Sequence, residues 1–197
     1  MNRKIFFIFF LVLVVVGSFG AWQVWLYLNP TTLIEGFEDE LGNWVIDADV
    51  PPDPNNLNQT VEWNMTRTTA TTHSGQYAMK LFIDGRQDDG TLWLERNVNT
   101  PRNMQVKVTV SFWLYSEEES FNTIAAVVGY SGTRNPETEE DLEVLGAANQ
   151  VTDWKQYSFE ATINTGSNGG MWVALGISVR WETLMTYYVD DVEIIIR

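Results

Sequence analysis

From Met104 to Tyr115 the chain alternates without a break. Val106, Val108, Val110, Phe112 and Leu114 fall on one side, and Gln105, Lys107, Thr109, Ser111, Trp113 and Tyr115 on the other. A period of two belongs to a β-strand with one buried face, and a helix cannot satisfy it. Met171 to Trp181 repeats the pattern, with Val173, Leu175, Ile177 and Val179 on one face. Shorter strand-like stretches run over 31–38, after Trp44, and over 61–68, 77–84, 91–98, 121–130 and 154–163. A last strand begins near Thr186. Between them stand turn formers: a Pro/Asn-rich loop at 49–58, Thr71 to Gly75, Gly85 to Gly90, Pro101 to Asn103 and Asn164 to Gly170. An acidic stretch, Arg134 to Glu143, reads as a further loop, solvated or facing a partner. Nine or ten strands at this spacing, with no helix pattern among them, predict an all-β jelly-roll sandwich.

The first residues do not fit that pattern. Arg3 and Lys4 are followed by Ile5 to Leu28 without a formal charge. As a helix this run would be about 36 Å long, enough to cross a bilayer core. Trp22, Trp25 and Tyr27 sit at its far end, where amphipathic rings favour the lipid–water interface, and Asn29-Pro30 stops it. The expectation is a cytoplasmic stub and signal-anchor over 1–29, with residues 30–197 forming a single-pass protein's extracytoplasmic domain. The alternative is a cleaved signal peptide ending near Ser18-Phe19-Gly20, which the continuing apolar run disfavours.

Composition narrows the function. The formal net charge is −14, which argues against nucleic acid as a partner. There is no Cys, so disulfides, thiol catalysis and zinc–thiolate sites are out. The single His, His73, lies in a turn and reads as a surface residue. Asp190 and Asp191 are neighbours on a strand and are expected to point to opposite faces, so they should not converge on one glycosidic bond. No nucleophile motif or phosphate loop is visible, and the expectation is a non-catalytic chain. Asn58 and Asn64 open two N-glycosylation sequons.

The last strand, Tyr187 to Ile196, carries that acidic pair inside a β-branched and aromatic run. A carboxylate in a core strand calls for neutralisation, and a hard cation such as Ca²⁺ is one way to supply it. A solvated strand edge is the other. Aromatic residues mark a second feature. On the faces turned away from the core lie Trp93, Trp113, Tyr115, Trp172 and Arg180, interspersed with Ala174, Gly176 and Ser178. Taken as one face, these would form a groove whose rings stack on sugars. They could equally pack under a loop such as 49–58. Exposure of Trp113 and Trp172 on a concave face would favour sugar, and burial under the chain's own loops would favour protein contacts.

Several motifs in order carry a family resemblance: Ile34-Glu35-Gly36-Phe37-Glu38, Trp44, Thr72-His73-Ser74-Gly75-Gln76-Tyr77-Ala78-Met79-Lys80, Val110 to Leu114, Trp154-Lys155-Gln156-Tyr157, and Tyr188 to Ile194. Residues 33–196 thereby resemble the galactose-binding-like jelly rolls, in particular the carbohydrate-binding modules attached to xylanases and glucanases. The resemblance implies a structural Ca²⁺ held by Glu38 and Asp190, with backbone carbonyls near Ser74 and Gln76. It would place Asp190 on the same strand face as Val192 and Ile194. It also implies a carbohydrate or cell-envelope glycan as ligand. The chain departs from the family in carrying an apolar segment where a catalytic domain would be expected. That leaves open an accessory subunit whose β-domain contacts a membrane-protein partner.

Overall fold

The computed structural model describes residues 29–120, 122–180 and 183–197. The expected membrane segment over 5–28 lies outside the described residues. Among the described residues no helix is long and apolar enough to cross a membrane.

The strands are β1 (Thr31–Glu35), β2 (Val45–Asp49), β3 (Pro52–Asp53), β4 (Asn56–Thr60), β5 (Trp63–Thr68), β6 (Ala78–Asp84), β7 (Thr91–Asn99), β8 (Gln105–Ser116), β9 (Ala125–Gly132), β10 (Glu143–Ala147), β11 (Trp154–Asn164), β12 (Gly170–Val179) and β13 (Leu184–Ile196). One 3-10 turn, Glu139–Asp141, is the only helical element among the described residues. All pairing is antiparallel. A six-stranded sheet runs β11-β8-β13-β6-β5, with β1 added along the far half of β13, and a five-stranded sheet runs β10-β9-β12-β7-β2. The two pack face to face as a sandwich.

The alternating residues of β8 are buried as their period requires: Val106, Val108, Val110, Phe112 and Leu114 all enter the core. They meet Met79, Leu81 and Ile83 of the same sheet and Leu92, Leu94, Val173, Leu175 and Ile177 of the opposite one. Three strands lie where the sequence reading places none. The 49–58 stretch contains the β3–β4 ribbon, and the segment after the acidic stretch forms β10 against β9. β4 is exposed at every position, its one apolar residue, Leu57, included, so it shows no alternation. β10 shifts register between Val144 and Gly146, which breaks its alternation.

Candidate functional site

β13 does not keep its period. Its register with β8 shifts between Asp190 and Glu193, and Asp191 sits at φ 47°. This bulge inserts a residue, so the buried set runs Tyr187, Val189, then Val192, Ile194 and Ile196. Asp190 therefore belongs to the outer side with Tyr188, opposite Val192 and Ile194, contrary to the strict alternation expected. The bulge also overturns the expected divergence of the two acids, because both carboxylates turn onto residues 73–74. Asp190 Oδ2 accepts the N–H groups of His73 (2.8 Å) and Ser74 (3.1 Å), and its Oδ1 accepts that of Asp191 (2.7 Å). Asp191 Oδ2 meets His73 Nδ1 at 2.6 Å, and its Oδ1 accepts from Ser74 Oγ at 2.6 Å. His73 is exposed, as expected of a turn residue, and is in addition held by the Asp190–Asp191 pair.

The other end of the same turn rests on Glu38. Its Oε1 accepts the N–H groups of Gln76 (2.9 Å) and Tyr77 (3.0 Å). Gly75, at φ +59°, lies so close that a Cβ there would collide with the Glu38 carboxylate. Arg67 donates to the carbonyls of Phe37 and Glu38 and lies 3.2 Å above the Tyr77 ring. Glu38, Ser74, Gln76 and Asp190 therefore do gather at one junction. What Ser74 and Gln76 give the carboxylates is N–H. The charge suits a cation: Asp190 is fully buried and enters no ion pair among the described residues. Burial pushes its carboxyl above the usual range, and the three N–H groups only partly offset this. The number of ligands does not suit one as well. Among the described residues no group of three or more His, Asp or Glu side chains is placed to hold a metal ion. Further ligands would have to be backbone carbonyls or water.

Beside this junction the outer face of the six-stranded sheet carries a chain of rings. His73 stacks on Trp113 (centroids 4.1 Å apart, interplanar angle 16°) and meets Trp154 edge-on at 5.3 Å. Trp154 lies 5.5 Å from Tyr115, which lies 5.9 Å from Tyr188. Register explains the line: Trp154, Tyr115, Tyr188, Lys80 and Thr66 are successive cross-strand partners over β11, β8, β13, β6 and β5. Trp113, Tyr115 and Trp154 are half-buried, with Gln156 exposed beside Trp113. Tyr188 donates to Glu117 at 3.2 Å. Sequence reasoning named Trp113 and Tyr115 here. It missed Trp154 and Tyr188, which only the strand order brings to Tyr115, and His73, which the turn held by Asp190 and Asp191 lays on Trp113.

The remaining expected ligand residues are elsewhere. Trp93, Trp172 and Arg180 belong to the five-stranded sheet or its edge, since β12 pairs with β7 and β9 and never with β8. The single expected groove is thus divided between the two outer surfaces of the sandwich. Trp93 has no exposed surface. It packs with Val128, Ala174 and Leu142 under the segment 133–142. That segment is fastened by polar bonds. Glu95, also buried, accepts from Trp93 Nε1 (2.9 Å) and Asn135 Nδ2 (3.0 Å). Glu139 accepts from the Thr91 hydroxyl (2.6 Å) and pairs with Arg180 (2.7 Å), and its N–H donates to Asp49. Burial would raise the Glu139 carboxyl, but the Thr91 bond and the Arg180 charge hold it below its ordinary value. The acidic stretch is therefore a cover for this face and not a free loop. Trp172 is half-buried beyond the cover.

No family model matches the chain, and no curated protein matches it. Solved structures do. The carbohydrate-binding module TmCBM61, determined in complex with β-1,4-galactotriose, superposes with a TM-score of 0.50 at 16% identity, over 81% of this chain and 92% of that one. A structure addressing the promiscuous specificity of carbohydrate-binding modules of the β-sandwich superfamily gives 0.51 at 18% identity, over 80% of this chain and 59% of the other. The tandem CBM22 modules of Paenibacillus barcinonensis Xyn10C give 0.50 at 16% identity, with 83% of this chain matching about half (49%) of that one. At these identities the likeness establishes the fold alone, a β-sandwich like theirs.

Proposed function

We propose that the chain is a non-catalytic recognition domain for glycans, displayed on the outer side of a membrane by residues 5–28. The observation that carries this reading is the line of rings His73, Trp113, Trp154, Tyr115 and Tyr188 on the outer face of the six-stranded sheet. Half-buried indoles flanked by Gln156, Lys80 and Glu117 suit a saccharide. The rings take the C–H faces of the sugar, and amide, ammonium and carboxylate groups take its hydroxyls. The fold shared with carbohydrate-binding modules is consistent with this use and does not select the ligand. A structural Ca²⁺ at the Glu38–Asp190 junction belongs to the same proposal, supported by the buried, unpaired Asp190 charge. Its residues would hold the turn that carries His73 against Trp113.

The test is a glycan and polysaccharide panel applied to the full-length chain with Ca²⁺ present, beside Trp154→Ala and Trp113→Ala. Binding that both variants lose supports the reading. Absence of binding by a folded protein removes it and leaves protein contact, for which Ile34 (74% exposed) and Val144 (60% exposed) provide apolar footholds. Calcium is tested separately. Chelation should lower the thermal midpoint of the wild type and leave Asp190→Asn unmoved.

A further inference from the structure

A second pocket lies at the edge of the sandwich, where β2 stops short of the end of β7 and β1 of the six-stranded sheet comes alongside. β2 begins at Val45, which pairs with Glu95, so no strand continues alongside residues 96–99 of β7 on that side. The gap is a cavity of about 430 Å³, walled by Trp172 and Val45 and lined by Asn43, Asn97, Asn99 and Arg96. Its size is that of a site for a small ligand. Trp172 and Asn97 are cross-strand partners on β12 and β7, so ring and amide face the same opening.

Arg96 sets the chemistry. Its guanidinium lies 5.4 Å from the Trp44 ring, and its Nε is buried without a hydrogen-bond partner. Among the described residues it enters no ion pair. Glu35, the acid whose field reaches it, accepts the N–H of Phe37 at 3.1 Å. An uncommitted guanidinium matches a planar carboxylate, to which it can bond twice. Carboxamides beside it bond hydroxyls both as donors and as acceptors, and an indole offers a stacking surface.

We infer that the Arg96–Trp172 pocket binds a carboxylated sugar residue: Arg96 takes the carboxylate, Asn97 and its fellow amides the hydroxyls, and Trp172 the ring face. The inference rests on the reading of the chain as a saccharide-recognition domain but not on the line of rings, which is carried by β8, β11, β13 and the turn at His73.

The experiment titrates the full-length chain with α-1,4-trigalacturonic acid, with neutral β-1,4-galactotriose and with acetate. The expected result is binding of the acid alone at this pocket, weakening as salt is raised. Arg96→Met keeps an apolar stem against Trp44 and should weaken binding of the acid at least about tenfold, the size of a charge-assisted bond. Trp154→Ala should leave it unchanged. Where Arg96→Met loosens the fold, the Trp172 indole resonance of the wild type carries the same test: it should move with the acid and stay still with galactotriose and acetate. Failure of trigalacturonate to bind, equal binding by Arg96→Met, or an unmoved Trp172 resonance overturns the inference. Loss of neutral-glycan binding through Trp154→Ala concerns only the other face, so the two readings fail separately.

Discussion

The two outer faces of the sandwich both carry aromatic rings and use them differently. On the six-stranded sheet Trp113, Tyr115 and Trp154 are half-buried, and the imidazole of His73 stacks on Trp113. On the five-stranded sheet Trp93 is fully buried, and the segment 133–142 lies over it with Leu142 as its apolar anchor. The difference originates in the connections between strands. β9 leads into a long acidic segment whose Glu139 finds Thr91 and Arg180 beneath it. The turn at 71–77 is short and held by Asp190, Asp191 and Glu38, so its His73 stacks on Trp113 and touches the edge of Trp154, and it leaves Trp154 and Tyr115 half-buried while Tyr188 is buried. An outward-pointing ring is therefore left half-buried at Trp113 and Trp154 on one sheet, whereas Trp93 on the other becomes part of a small second core.

Substitutions can break this contrast. The largest effect belongs to the closed face. Trp93→Ala removes a fully buried indole and should cost about 3–5 kcal/mol in chemical unfolding, with glycan binding intact in the protein that remains folded. Asp190→Ala should come next, at roughly 3 kcal/mol, because three N–H groups lose their acceptor and the turn beneath the open face is freed. It should also weaken glycan binding, which Trp93→Ala should not. Leu142→Ala should cost about 2–3 kcal/mol and make the 133–142 amides exchange faster with solvent, while those of β8 stay protected. The smallest effect is electrostatic. The Glu139 carboxyl is held below its ordinary value, so its contribution is complete above the usual carboxylate range and is lost as pH falls through the lowered folded-state value. Exchange of the 133–142 amides should accelerate as pH falls below the usual carboxylate range, and Glu139→Gln should remove that acceleration. The group is partly exposed, so the loss should be no more than about 1 kcal/mol.

Much of the fold was legible from period-two patterning alone. β8 and β12 bury the residues that their alternation assigns to the core. β13 was misread from Asp190 onward, because alternation cannot register an inserted residue. The adjacent Asp pair was the visible sign of the bulge, as Asp tolerates a positive φ better than the β-branched residues around it. The candidate site was half legible for a related reason. Alternation separates inward from outward residues within a strand, but it says nothing about which strands are neighbours. Trp93, Trp113 and Trp172 were all rightly placed on outward faces, yet β8 and β12 belong to different sheets. Trp154 and Tyr188 join Tyr115 only through the β11-β8-β13 order. Arg96 gave no signal in sequence, since its pocket arises from β2 starting one residue short of its level.

The most direct test tracks the indole resonances of the full-length chain while a neutral glycan retained on the panel is added. The account predicts that Trp113 and Trp154 shift together and saturate at one concentration, while Trp93 stays still beneath its cover. Movement of Trp93 with Trp113 and Trp154 unmoved would place recognition on the five-stranded face and contradict the account.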